Sequence, residues 1–365
     1  MSTVTKPRVV YGYKYGLLGG VSAQLRNRYP HFRDLADVRI LFQEDHGSVA
    51  SFPAGSAFET RSVDSQAFAL QMLEPDLTVV IDSPSFLRAW EMAGKPGKLL
   101  LEVHTTTSNI SYLNKLAHLH DDIAAVITVS DYMRERLTAI RQLEGLPFYI
   151  IPNCLTDQWF EEPTPVALEE RPLLWVGKLD DHKRWRPALD IIDSVASEPG
   201  REDVRPLLVG GYTTVRSERI QALLAKLYST KELARGSWWP YVEYARMPLV
   251  CRSVGAAGGG MLVTTRNESF GMAVAEALAM QCPVVAPAVG ALPELLPEEA
   301  MYEFGDEAAA RRLVGRMLDE PEYREALLSR RSEVLAMVQP ARAVEAFKDV
   351  IDGVVGSQVS AKGGD

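Results

Sequence analysis

Two glutamates, Glu268 and Glu276, stand with seven residues between them. The first follows an apolar run, Met261-Leu262-Val263-Thr264, that reads as a buried strand. Ser269, Phe270 and Gly271 come next, and residues 272–280 are rich in strong helix formers. Pro283 stops that helix, and Val284-Val285-Ala286 reads as the next strand. A strand, a small-residue turn and a helix start make an anion site, because the first amides of a helix are unpaired and its dipole favours negative charge there. Gly271 lets a ligand approach the backbone closely. Carboxylates beside an anion site are repelled unless they bind hydroxyls. Phosphates and sugar rings in one ligand satisfy both demands. Two glutamates at a helix start also serve the dipole when they are merely solvated, and both readings stand at this point.

Three further stretches have suitable chemistry. Residues 172–176 read as a strand that feeds Gly177-Lys178-Leu179-Asp180-Asp181-His182-Lys183, with two lysines five apart. Ammonium groups bind phosphates as point charges, although a solvated basic turn has the same composition. A first strand over 8–13 runs into Gly16-Leu17-Leu18-Gly19-Gly20 before a helix near Val21. This loop suits a phosphate, but it is not the GxGxxG pattern of a dinucleotide site. His104 follows a buried-strand pattern over 99–103, where ligands of parallel sheets gather; a lone histidine is also often structural.

Taken together, these strings resemble glycosyltransferase family 4, retaining enzymes of the GT-B fold. The resemblance rests on Glu268, Phe270-Gly271, Glu276, Pro283-Val284-Val285, the Gly290 to Glu294 loop, Lys183 and His104. It implies an α/β chain of two Rossmann-like domains whose parallel sheets face a central cleft. It also implies transfer of a sugar from a nucleotide-diphosphate donor to an acceptor hydroxyl with retention. In that scheme Lys178, Lys183 and the helix start at Gly271 and Met272 stabilise the leaving diphosphate. Glu268 holds donor-sugar hydroxyls beside Phe270, Glu276 holds the ribose, His104 touches the sugar, and the Gly19-Gly20 loop faces diphosphate or acceptor. Four departures show: Lys178 replaces an arginine, Cys154 and Gln281 replace glycines, and three residues rather than two separate Gly290 from Glu294. The chain contains no Asp-x-Asp, the motif by which other nucleotide-sugar enzymes hold a divalent ion. Activity without metal or cofactor is the expectation.

Stepping strands and helices must hold these residues. Strand patterns occur over 38–42, 77–81, 99–103 and 124–129, and helix patterns over 67–73, 86–93 and 132–140. Such alternation predicts a parallel sheet covered on both faces. The acidic, proline-bearing segment 156–171 reads as a linker. The second half continues with helices over 190–196, 216–227, 307–318, 323–337 and 341–355 and a strand over 205–211. The expected division is an acceptor domain at 1–160, a donor domain at 170–337, and a helix at 338–357 that returns to the first domain. Trp238 to Val242 is placed near the nucleotide base by the resemblance.

With 365 residues, 47% hydrophobic and 24% charged, the chain suits two globular domains. Its formal net charge of −9 argues against a nucleic-acid partner. No apolar run is long enough for a transmembrane segment, no signal-peptide core is visible, and the three cysteines lack metal or disulfide spacing. A cytoplasmic location is expected. The acceptor is open: a small molecule, a saccharide or a lipid. Residues 43–60 carry Glu44, Asp45, His46 and Glu59, which suit an amine-bearing acceptor such as an aminocyclitol or a merely solvated loop. Other GT-B enzymes (an epimerase or a phosphorylase) and an inactive nucleotide-sugar-binding protein are the alternatives.

Overall fold

The computed structural model describes residues 6–17, 20–106, 108–211 and 217–356. Among these residues the chain divides into two compact units, one of residues 1–154 with 338–365 and one of residues 155–337.

The first unit begins with β1 (Arg8–Gly16), α1 (Val21–Phe32), β2 (Asp37–Asp45), β3 (Ala57–Glu59), α2 (Val63–Leu73), β4 (Leu77–Ile81), α3 (Pro84–Met92) and β5 (Lys98–Glu102). A 3-10 run (Ser108–Asp122), β6 (Ile123–Thr128), α4 (Asp131–Thr138) and β7 (Phe148–Ile150) follow. The second unit holds β8 (Arg171–Val176), α5 (Trp185–Ala196), β9 (Val204–Val209), α6 (Ser217–Leu227), α7 (Lys231–Ala234), β10 (Ser237–Trp239) and α8 (Met247–Ala256). It continues with β11 (Gly260–Leu262), α9 (Met272–Ala279), β12 (Val284–Pro287), α10 (Leu292–Leu295), β13 (Met301–Tyr302), α11 (Glu307–Asp319), α12 (Pro321–Leu327) and α13 (Arg331–Met337). The last helix, α14 (Pro340–Val355), belongs to the first unit.

Among the described residues each unit is built on one parallel sheet. The first runs β3-β2-β1-β4-β5-β6-β7 and the second β10-β9-β8-β11-β12-β13. Strand order reverses direction beside β1 in the first sheet and beside β8 in the second. Ligands of open parallel sheets gather outside the carboxyl ends of the strands at such points. The central strands are buried on both faces: every residue of β4 is buried, Thr78 included, whose hydroxyl donates to the Pro96 carbonyl at 2.8 Å.

Several elements differ from their sequence expectations for local reasons. β1 extends past Tyr13 to Gly16 because β2 offers partners as far as Glu44 and Asp45. α2 starts at Val63, four residues before the apolar pattern, because Ser62 and Ser65 cap each other reciprocally. Segment 323–337 is two helices, broken where Leu328 and Arg331 donate three-residue turn bonds to the Glu325 and Leu328 carbonyls. In segment 156–171, Trp159 is fully buried and packs on Tyr244 with ring centroids 5.7 Å apart.

One buried ion pair organises the first unit. Glu102 ends β5 with its side chain wholly buried, and Arg28 of α1 donates to its Oε1 at 2.6 Å. The same guanidinium donates to the Ile151 carbonyl at 2.6 Å, tying α1, β5 and the segment after β7 together. Burial alone would raise the Glu102 carboxyl, but the Arg28 charge and the His104 hydrogen bond outweigh it and hold the group down at about 2. α14 closes the other side of α1. Its Ala343, Phe347, Val350 and Val354 are buried at helical spacing, and Phe347 stacks on Phe32 with ring centroids 4.1 Å apart.

Removing one partner of a buried pair leaves the other charge uncompensated, so Glu102→Gln should destabilise the first unit by about 3–5 kcal/mol. Hydrogen exchange of the β4 and β5 amides in the full chain measures this, and a change below about 1 kcal/mol contradicts it. The carboxyl is lower in the folded chain than its ordinary 4.5, so its stabilisation is complete above that value. That stabilisation should fade as pH falls through about 2.

Candidate functional site

Two loops at the carboxyl edge of the second sheet, 177–184 after β8 and 263–271 after β11, are bonded to one another. The Thr264 hydroxyl donates to the Lys183 carbonyl at 2.9 Å and the Arg184 carbonyl at 3.0 Å. The Arg266 amide donates to the His182 carbonyl at 2.8 Å, and its Nε donates to the Asp181 carbonyl at 3.0 Å. Trp175, buried under the first loop, donates its indole N–H to Thr264 at 3.3 Å. Asp180 accepts the Lys183 amide at 2.8 Å, which folds the first loop back on itself. Close approach here needs small residues. A Cβ on Gly210 (φ +106°) would lie 2.6 Å from the Gly177 carbonyl oxygen.

This bracing brings Lys183 against Glu268, and its ammonium donates to the Glu268 carboxylate. Both side chains keep limited solvent access, 28% and 17%. Phe270 is buried beneath the turn. Gly271, in the left-handed region at φ +100°, precedes α9, which has no side-chain cap. A lysine, a carboxylate and the positive end of a helix therefore meet at one edge, where an anion with attached hydroxyls would satisfy all three.

The loop after β12 locks this arrangement. Ala291 donates its amide to the Glu268 carbonyl at 3.0 Å. Gly290, at φ +59°, passes so close that a Cβ would lie 2.2 Å from that same oxygen.

The remaining expected residues fall as follows. Met272 opens α9 and is half-buried. Glu276 is half-buried in the second turn, and after burial and Cys282 its charge raises the Cys251 thiol. Lys183 pairs with Glu268. Lys178 is exposed. His104 and Gly20 belong to the first unit. His104 is buried, with Nε2 at 2.7 Å from Glu102 Oε1, and its amide donates to Asp82 Oδ2 at 3.0 Å. Gly20 caps α1 at φ +60°, where added side-chain bulk would meet open space. Gly19 lies outside the described residues.

Two of the sequence departures have structural accounts. Cys154 has no positive φ, so no glycine is needed there; its amide donates to Gln24 at 3.0 Å and its carbonyl accepts from Asn27 at 2.9 Å. Gln281 does adopt the left-handed conformation, at φ +56°. Its side chain donates to Glu162 at 2.6 Å and accepts from Arg252 at 3.1 Å, which offsets the strain. Trp238 donates its indole N–H to the Gly210 carbonyl at 2.9 Å, beside the Gly177 turn, and Trp239 stays partly exposed. Of the acidic residues in 43–60, Asp45 accepts the Ser48 and Val49 amides, and Glu59 accepts from the Asp45 amide and from Arg61. Those two carboxylates serve their own loop.

Sequence reading missed Thr264, Arg266, Arg28 and Glu102. For the Arg28–Glu102 pair one signal existed: an acid closing the apolar run Leu99-Leu100-Leu101.

Residues 170–320 match the model of the family described as glycosyl transferases group 1. No curated protein matches the chain. The fold is GT-B, and it is similar to that of several solved structures. Anabaena Alr3699/HepE, solved in complex with UDP-glucose, is 15% identical, with a TM-score of 0.78 over 95% of this chain and 99% of that one. Sucrose-phosphate synthase (tll1590) from Thermosynechococcus elongatus is 17% identical, with a TM-score of 0.76 over 96% and 100%. A glycosyltransferase from Rickettsia africae ESF-5 is 13% identical, with a TM-score of 0.73 over 96% and 99%. Among the described residues no helix is long and apolar enough to cross a membrane.

Gly290→Ala tests the lock on Glu268. Its Cβ cannot fit 2.2 Å from the Glu268 carbonyl, and the backbone is left-handed. The variant should lose about 1–3 kcal/mol of second-unit stability in urea. An unchanged transition would show that the loop yields freely.

Proposed function

We propose that this chain is a retaining glycosyltransferase that moves a sugar from a nucleotide-diphosphate sugar to an acceptor hydroxyl. The observation that carries the proposal is the Lys183–Glu268 pair, held at the carboxyl edge of the second sheet within the segment that matches the family model. Transfer expels a nucleoside diphosphate, so negative charge grows on the leaving phosphate oxygens. Donors fixed where charge develops are the strongest contributors to such catalysis, about 3 kcal/mol for a well-placed one. Lys183 and the start of α9 supply that stabilisation, with Lys178 added from the exposed end of the same loop. An arriving diphosphate competes with Glu268 for the Lys183 ammonium. The Glu268 carboxylate is thereby released to hydroxyls of the transferred sugar. Glu276, farther into α9, takes the ribose, and His104 is assigned to hydroxyls of the sugar.

HepE was solved with UDP-glucose, which makes that molecule the first donor to try here. The reaction as proposed needs no metal or other cofactor, because lysines and a helix end neutralise the diphosphate. The acceptor is a small molecule, saccharide or lipid carrying a free hydroxyl, and the reaction is placed in the cytoplasm.

A thermal-shift screen of UDP-, GDP- and ADP-sugars followed by turnover of the radiolabelled hit tests the reading. A ligand at one hundred times its Kd adds about 2.7 kcal/mol of native stability. No shift with any donor would sink the proposal. With the donor known, Lys183→Ala should lower kcat/KM about one hundredfold while the fold stays intact.

The two glutamates separate in calorimetry with the bare nucleoside diphosphate. Glu276→Gln should weaken its binding about tenfold, through the ribose. Glu268→Gln should bind it as well as the parent or better, because Lys183 is no longer engaged, yet should turn over more slowly. Equal behaviour of the two variants, or the reverse order, would overturn these roles.

A further inference from the structure

Arg184 follows Lys183 directly and turns the chain from the loop after β8 into α5. Its backbone is left-handed, at φ +51° and ψ +50°. A residue with a Cβ disfavours that region by about tenfold, and such an outlier persists only where its surroundings hold it. Two contacts hold this one. The guanidinium lies over the Phe304 ring, 4.9 Å from its centroid, and its Nη2 donates to Glu307 Oε1 at 3.3 Å. Both partners sit on a braced segment. Tyr302 donates its hydroxyl to the Val263 carbonyl at 2.8 Å, and Asp306 accepts the Ala309 amide at 2.8 Å to cap α11. The Glu307 side chain is open to water, so each contact is modest and the two act together.

The strain lies where it bears on Lys183. One hydroxyl, that of Thr264, meets both the Lys183 and the Arg184 carbonyls. The only soft torsions between those two carbonyls are φ and ψ of Arg184. Asp180 fixes the Lys183 amide from the other side. A swing of Arg184 into the right-handed region would pull a carbonyl off Thr264 and turn the Lys183 side chain away from Glu268. Glycine takes these torsions without strain, whereas arginine needs its anchor.

We propose that Arg184 is a positioning residue for Lys183: the contacts of its guanidinium with Phe304 and Glu307 keep its backbone left-handed, and that conformation aims the Lys183 ammonium at Glu268. That Lys183 then meets a diphosphate rests on the transfer reaction proposed above; the aiming itself does not. The Arg184 charge is spent on Phe304 and Glu307, so it acts through Lys183 and not on a ligand.

The test uses the ligand-free full chain labelled with nitrogen-15 lysine. NMR follows the Lys183 ammonium, assigned by its loss in Lys183→Ala, which is visible when a carboxylate partner slows its exchange with water. The parent should show it. Arg184→Gly should keep it, because glycine adopts the left-handed backbone freely. Arg184→Ala retains the strain and loses both contacts, so its signal should fall about threefold or more. With the donor known, Arg184→Ala should lower kcat about tenfold and Arg184→Gly no more than about threefold. In a Lys183→Ala background, Arg184→Ala should cost no more than about twofold further. Equal losses in the Gly and Ala variants would overturn the proposal, since the guanidinium would then act in its own right. So would a full signal in Arg184→Ala, additive losses with Lys183→Ala, or a parent without the paired ammonium. If Arg184→Ala is poorly folded, Phe304→Ala removes the ring alone; its signal should fall too, and an unchanged signal overturns the anchor. The expected ammonium pattern in a chain that turns over no donor would uphold the positioning role and sink the transfer reaction.

Discussion

A lysine ammonium touching a carboxylate at the rim of a parallel sheet is a poised rather than a settled contact. Both groups keep partial access to water, so their attraction is modest and can be exchanged for a better partner. The position of the pair is what the structure enforces. Thr264 grips the carbonyls of Lys183 and Arg184, and Gly290 and Ala291 close on the carbonyl of Glu268. Loops from three strands thus fix two side chains that come 85 residues apart in sequence. Preorganisation of this kind places charge before a ligand arrives, which is where electrostatic stabilisation gets its strength.

The first unit handles charge in the opposite way. Arg28 and Glu102 are removed from water altogether and serve α1, β5 and the segment after β7. His104 leans on the same carboxylate, so its ring is oriented by a contact whose main work is structural. Asp82 receives its amide from the other side. A sugar-contacting role for His104 would rest on this scaffold, and a change at Arg28 would reach the ring through Glu102.

Much of this was legible in the residues. Parallel sheets, the turn at Gly271 and a lysine-bearing loop after the strand over 172–176 followed from alternation, small residues and charge type. The Gln281 backbone was also legible, since a helix end there calls for a left-handed residue. The 3-10 run Ser108–Asp122 was legible and overlooked. Ile110, Leu113, Leu116 and Leu119 recur every third residue and are all buried, which is the period of that helix. The interloop hydrogen bonds of Thr264 and Arg266 had no local signal. Threonine and arginine at a strand end fit a solvated turn equally well, and only tertiary proximity decides what they bond.

The chain order of α14 has a consequence for biosynthesis. Its sequence follows the whole second unit, yet Phe347 stacks on Phe32 in the core of the first. On the ribosome, every strand of both sheets is made before that ring emerges. The second unit can mature while the nascent chain is still attached, whereas α1 waits with an apolar face uncovered until α14 has emerged. Residues made before the whole second unit are therefore sealed after it, and chaperone protection should matter most for α1 during that interval.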